Sequence, residues 1–126
     1  MQLNGQIRQN IKEAMLANLA SSSSTVRKQV ANSVAAIAAI EIPRKEWLEL
    51  IPNLCDNSVN PSEDIRNAAL ETLGFICEEI MPDDIPNELK NKVVYALTTN
   101  IHTDPAQKKS TLLAIRALFL ALPYAS

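Results

Sequence analysis

Residues 65–82 of the chain, IRNAALETLGFICEEIMP, decide its fold. Apolar residues recur in this stretch every three or four positions, which is the spacing of one face of an α-helix. Residues 26–43, VRKQVANSVAAIAAIEIP, show the same order of apolar and basic positions 39 residues earlier. A weaker copy begins at Lys108, 42 residues after Arg66. A helical unit that recurs about every 40 residues predicts an array of stacked helix pairs.

Prolines mark the borders of these helices, since proline is favoured in a first helical turn and excluded from a helix interior. The apolar periodicity predicts six helices, near 6–20, 25–41, 44–59, 62–81, 86–102 and 105–122. Short connections make neighbouring helices antiparallel. One array over 1–126 is therefore expected, with helix pairs at about 6–41, 44–81 and 86–122. Pro52 predicts a kink in the third helix, and Ser24 or Thr25 is expected to cap the second.

The length of the repeat separates this array from tetratricopeptide units, which repeat about every 34 residues. The order Ile-Arg, Ala-Ala, Leu-Gly and Ile within residues 65–76 is similar to the second helix of a HEAT repeat. The predicted fold class is therefore all-α, an α-α superhelix of about three antiparallel HEAT-type pairs. Val34, Leu73 and Ile115 occupy equivalent positions in this register and are all expected to be buried. Gly74 is expected to let a neighbouring helix approach closely.

Composition excludes several classes of function. Twelve Lys and Arg against fourteen Asp and Glu give a net charge of -2, so nucleic acid is not an expected partner. No apolar run approaches the roughly 20 residues that cross a bilayer, so a membrane is not expected either. Cys55 and Cys77 each lie in an apolar helical pattern and are expected to be buried as small apolar residues. These features predict a soluble protein of a reducing compartment.

The sequence offers little to catalysis. The single histidine, His102, lies at the end of the predicted fifth helix near Asp104 without a positioned nucleophile, and is expected to be a solvated residue at a helix end. The chain has no metal-ligand spacing, and its two glycines cannot form a phosphate-binding loop. No catalytic, cofactor-binding or metal-binding residue is expected, and the chain is predicted not to be an enzyme.

Surface for protein partners remains. Stacked pairs expose their second helices as one extended face, and possible partner contacts there are Lys28, Asn32, Asn67, Glu71 and Lys109. An ordinary solvated helix face is the alternative interpretation of these residues. The end faces of the array are expected to expose apolar residues that flanking repeats would cover, including Ile7, Ile11, Leu118 and Leu122.

Two strings carry a resemblance to a known family. Residues 41–54, EIPRKEWLELIPNL, resemble the importin beta (karyopherin beta) pattern in which an E-I-P turn leads into a W-x-x-L-I-P helix. Residues 70–77, LETLGFIC, resemble that family's next inner helix, L-E-x-I-G-Y-I-C. The resemblance covers about residues 7–122 and suggests an internal fragment of roughly the third to fifth repeats. The family's acidic loop for the GTPase Ran has no counterpart in this chain.

The resemblance implies part of a nuclear transport receptor. Its full-length parent would bind Ran-GTP, cargo or the adaptor importin alpha, and phenylalanine-glycine (FG) nucleoporins, in the cytoplasm, in the nucleus and at pores of the nuclear envelope. It also implies half of an FG-nucleoporin slot at Val93, Val94 and Leu97, although such a run equally suits core packing. The alternative is another HEAT-repeat scaffold, such as a phosphatase-scaffold-like subunit.

Overall fold

The computed structural model describes the backbone of residues 2–19, 21 and 23–125, with side chains from residue 5 onward. Every regular element in these ranges is helical. The six α-helices are α1 (Gln2–Asn18), α2 (Ser24–Glu41), α3 (Leu50–Asn57), α4 (Glu63–Glu79), α5 (Asn87–Thr99) and α6 (Lys108–Ala121). The predicted all-α class is thereby confirmed. The predicted end of the first helix, residue 20, lies outside the described residues.

The helices form two layers. Each of α1, α3 and α5 packs against the helix that follows it in the chain, as in stacked HEAT-like pairs. The second-helix layer consists of α2, α4 and α6, in which α4 contacts both of the others. This arrangement places α4 at the centre of the molecule.

Contacts between α4 and α6 have a nearly constant separation in sequence. Arg66 Nε donates to Ser110 Oγ at 3.0 Å, and Tyr124 Oη donates to the Ile80 carbonyl at 2.7 Å. Between these ends, a Cβ built on Gly74 would lie 3.4 Å from the Ala117 Cβ. Partners about 44 residues apart along the whole interface mean that α4 and α6 run parallel. The close approach expected at Gly74 is confirmed, with Ala117 as the neighbour.

The third helix differs from its prediction. It begins at Leu50 rather than near residue 44, because Lys45 and Trp47 adopt left-handed backbone angles, with φ of 63° and 57°, that interrupt the helix. Pro52 therefore lies in the first turn of α3. Backbone N–H groups in a first turn have no carbonyl acceptor within their own helix, so the N–H that proline lacks is not missed there and no kink results. The predicted kink within a longer helix is wrong.

A charged cluster joins α1 to the end of α2. Glu41 is 2% exposed and accepts hydrogen bonds from Arg8 Nη2 at 2.7 Å and Lys12 Nζ at 2.5 Å. The same Lys12 ammonium lies 4.8 Å from the centre of the buried Trp47 ring, a favourable cation–π distance. Burial acts to raise the pKa of Glu41, but the hydrogen bonds from Lys12 and Arg8 outweigh it and lower that pKa.

Helix capping is shifted by one residue from its prediction. The side chain of Ser23, rather than that of Ser24 or Thr25, accepts a hydrogen bond from the Val26 N–H. Its extended backbone, with φ of −81° and ψ of 118°, is the conformation that an N-cap requires. Ser24 is instead the first residue of the helix. Sequence preference alone does not distinguish neighbouring serines.

The core confirms two of the three predicted equivalent positions. Val34 and Leu73 are fully buried, whereas Ile115 is 38% exposed. Ile115 lies with Phe119 and Leu122 around an apolar depression on α6, while Ala117 of the same helix faces α4. No helix in the described part of the chain covers that depression. The prediction for Ile115 is therefore wrong.

The two ends of the array expose apolar side chains. Ile7 and Ile11 at one end and Leu122 at the other are exposed, as expected, and Leu118 is half-buried. Cys55 and Cys77 are buried and free, which confirms their packing role. Burial raises the pKa of the Cys55 thiol to about 11 and that of Cys77 to about 12, so both remain protonated at neutral pH.

Candidate protein-interaction site

The second-helix layer places most of the predicted polar contacts on one surface. Lys28 and Asn32 of α2 and Lys109 of α6 are exposed, and Glu71 of α4 is half-buried between them. These four residues line one open basin of about 430 Å³. The structure thus brings together residues from all three second helices.

Asn67 does not belong to this surface. It is 5% exposed, and its Oδ1 accepts a hydrogen bond from Ser110 Oγ at 2.6 Å. The Ser110 hydroxyl accepts a further bond from Arg66, which links α4 to α6. The expectation that Asn67 contacts a partner is therefore corrected, because its side chain takes part in a buried polar network between two helices.

The three residues of the predicted nucleoporin slot all belong to α5 but do not share one face of it. Val93 and Leu97 are fully buried, and only Val94 is partly accessible. Positions 93, 96, 97 and 100 share the inward face of the helix at the spacing i, i+3, i+4 and i+7. Val94 lies about 100° away from Val93 around the axis. The three side chains do not form one exposed apolar patch.

His102 and Asp104 make separate interactions. His102 is exposed, and its backbone N–H donates to Thr111 Oγ1 at 3.0 Å. The Asp104 carboxylate accepts from the Ala106 N–H at 3.0 Å and caps a short 3₁₀ helix at Pro105–Gln107. Neither interaction positions a nucleophile. Across the described residues, no three His, Cys, Asp or Glu side chains are close enough to hold a metal ion.

Within the described ranges, no helix combines the length and the apolar character needed to span a bilayer.

Sequence reasoning missed a groove beside the basin. Gly74 and Ala117 form its floor, Leu113 and Leu120 flank it, and the exposed Arg116 lies at its rim. The spacing of Leu113, Arg116 and Leu120 could have placed them on one face of α6. Their position against α4 becomes clear only from the contacts that fix the register of the two helices.

Comparisons with known proteins identify similar sequences. No family model matches the chain. Importin subunit beta-1 of Arabidopsis thaliana is 35% identical over 115 residues, 91% of this chain and 13% of that protein. The proteins of the same name in Schizosaccharomyces pombe and Saccharomyces cerevisiae are each 29% identical, over 94% and 93% of this chain.

The similarity covers nearly all of the chain but little of its relatives. The chain spans 13% to 14% of the length of these three proteins. Its stacked helix pairs, with α4 packed between α2 and α6, are the arrangement expected of a stacked helical array. Over nearly its whole length, the chain is therefore similar in sequence to a segment of importin subunit beta-1.

Proposed function

We propose that this chain is a segment of a nuclear transport receptor whose full-length parent binds Ran-GTP, protein cargo or importin alpha, and FG nucleoporins. The parent would move between cytoplasm and nucleus through the pores of the nuclear envelope. The observation that carries this proposal is the 35% identity to importin subunit beta-1 over 91% of the chain. The chain would contribute binding surface and no bond-making chemistry.

The mechanism follows from competition for one flexible array. If Ran-GTP and cargo each favour a different arrangement of the stacked pairs, each ligand lowers the affinity of the other by the same factor. A nucleotide gradient across the nuclear envelope then gives transport its direction. The second-helix layer, with Lys28, Asn32, Glu71 and Lys109, supplies the protein-contact surface in this mechanism.

Retention of Ran tests the proposed function. The full-length parent is immobilised and exposed to Ran loaded with GTP or with GDP at equal concentration. Selective retention of the GTP form, with release of bound cargo, is expected. Equal retention of both forms, or retention of neither, would contradict the transport role.

The proposed contact with nucleoporins is confined to Val94 on α5, because Val93 and Leu97 are buried. An NMR titration of the chain with an FG peptide should shift amide signals around Val94. Val94→Asp should abolish these shifts, since a carboxylate opposes the approach of a phenyl ring. Thr99→Asp is the matched control on the same helix, at an exposed position. Equal loss in both variants would remove Val94 from the proposal.

A further inference from the structure

The groove between α4 and α6 combines an apolar floor with a basic rim. Gly74 lacks a side chain, so the Ala117 methyl and the flanking Leu113 and Leu120 form the base of the groove. Lys28 from α2 and Arg116 from α6 lie at its edges. The groove is continuous with the open basin, because Lys28 and Glu71 line both.

The charge of this surface is opposite to that of the whole chain. Lys28, Lys109 and Arg116 surround it, against the single carboxylate of Glu71. In the described part of the chain, the ion pairs are those of Arg8, Lys12 and Arg27. None of the three rim cations is among them. A chain of net charge -2 therefore presents a locally basic surface whose charges are available to a partner.

The dimensions of the floor limit what can enter it. The depression has a volume of about 30 Å³, and one water molecule needs roughly 10–15 Å³ by this measure. The space suits the end of an aliphatic side chain and is too small for an aromatic ring. The adjoining basin, at about 430 Å³, is wide enough for the polar side chains of an extended segment.

We propose that this groove binds an acidic protein segment, with an aliphatic side chain on the Gly74–Ala117 floor and carboxylates facing Lys28, Lys109 and Arg116. This inference rests on the proposed protein-contact role of the second-helix layer and names the chemistry of its partner. Complementary charge steers such a segment to the surface, and the apolar anchor fixes its position. Nucleic acid fits less well, since phosphates gain nothing from the apolar floor.

The test measures binding of a short fluorescein-labelled peptide of Asp and Glu residues with one central Leu, by fluorescence anisotropy. Lys109→Glu and Arg116→Glu should each weaken binding about fivefold, the equivalent of about 1 kcal/mol for an exposed charge pair. Glu71→Gln should strengthen it, because the substitution removes the carboxylate that lines the groove and the basin. Added salt should weaken binding by the parent chain.

Matched controls separate the groove from general electrostatics. Lys92→Glu makes the same change of charge at an exposed position of α5 and should leave the affinity nearly unchanged. A peptide with Ser in place of its Leu should bind more weakly than the original. Circular dichroism checks that each variant is folded, which is expected because the substituted lysines and arginine are exposed.

The proposal would be overturned if the folded chain did not bind the peptide at millimolar concentration, or if Lys92→Glu weakened binding as much as the groove variants do. It would also be overturned if the Leu-to-Ser exchange had no effect on affinity, or if a single-stranded oligonucleotide bound as tightly as the peptide. The Ran experiment is independent of this one. Peptide binding without selective retention of Ran-GTP would support the proposed groove and contradict the transport role. Selective retention of Ran-GTP without peptide binding would support the transport role and contradict the proposed groove.

Discussion

The central second helix, α4, and the last one, α6, are built from similar apolar patterns but are buried to different extents. Nine residues of α4 are buried, including Leu70, Leu73 and Ile76. Only four residues of α6 are buried, Ser110, Ala114, Ala117 and Ala121, while its Phe119 is 71% exposed. The cause is the number of neighbours, since α4 packs between α2 and α6. In a stacked array, burial therefore depends on position as much as on the apolar pattern.

Truncating matched residues of the two helices is the strongest test of this difference. Leu73→Ala should lower the free energy of unfolding by about 2–5 kcal/mol, because a fully buried side chain leaves a cavity when it is removed. Ile115→Ala should cost about 1 kcal/mol or less, since its side chain is partly solvated already. Chemical denaturation of the two variants measures both values. Equal losses would show that Ile115 is as well packed as Leu73.

The repeat in the sequence was sufficient to predict the class of fold, the six helices and the burial of Val34 and Leu73. It was insufficient for Ile115, because an apolar pattern shows which face of a helix seeks cover and not whether a neighbour supplies it. The start of α3 was missed for a different reason. Left-handed angles at Lys45 and Trp47 are rare for such residues, so no local preference predicts them.

Loss of the buried charge of Glu41 tests the other flank of the array, where α1 covers α2. Glu41→Gln should lower the free energy of unfolding by about 3 kcal/mol, the lower end for a broken buried pair, because Arg8 is half exposed. Lys12 would keep its charge beside Trp47 without a carboxylate partner. Glu46→Gln, at an exposed acid nearby, is the control and should change stability by less than about 0.5 kcal/mol.

The same cluster predicts a dependence on pH. The pKa of Glu41 is lowered in the folded chain from its ordinary value of 4.5, so the folded state favours the ionised form. The resulting stabilisation is complete above that ordinary value and is lost as pH falls through the lower folded pKa. The difference in stability between the parent chain and Glu41→Gln should therefore shrink on acidification. A difference that grows with acid would contradict the assigned hydrogen bonds.

A smaller effect is expected where α4 meets α6. In Gly74→Ala the added methyl would lie 3.4 Å from the Ala117 Cβ, a contact that needs little adjustment. The gain in helix propensity of up to about 1 kcal/mol offsets that crowding, so thermal unfolding should change little. Gly74→Leu should instead destabilise the chain by about 1–3 kcal/mol through overpacking. Equal tolerance of Ala and Leu would mean that the helices are further apart.

The candidate site was predicted less completely than the fold. Lys28, Asn32 and Lys109 were assigned to the exposed surface because polar residues on a second helix are usually solvated. Asn67 has the same polarity, but its position opposite Ser110 makes it part of an interhelical network. The apolar groove at Gly74 depends on the register of α4 against α6, which is a tertiary property. Pattern alone therefore identifies candidate polar residues and does not define the surface they share.

The smallest effect on folding, and the clearest on association, is expected at the exposed end of α6. Phe119, Ile115 and Leu122 surround an apolar depression of about 260 Å³, and Ile7 and Ile11 are exposed at the opposite end of the array. Contact between unlike ends of two copies would bury both faces and, being head-to-tail, would continue to further copies.

Phe119→Ser should change the free energy of unfolding by less than about 0.5 kcal/mol, because its ring is largely solvated, and should reduce concentration-dependent association in sedimentation velocity. Val59→Ser changes another exposed apolar residue, which does not line this depression, and should leave association unchanged. Identical sedimentation of the parent and both variants at high concentration would show that copies do not associate through the end of α6. The two helices α4 and α6 would then differ in burial but not in association.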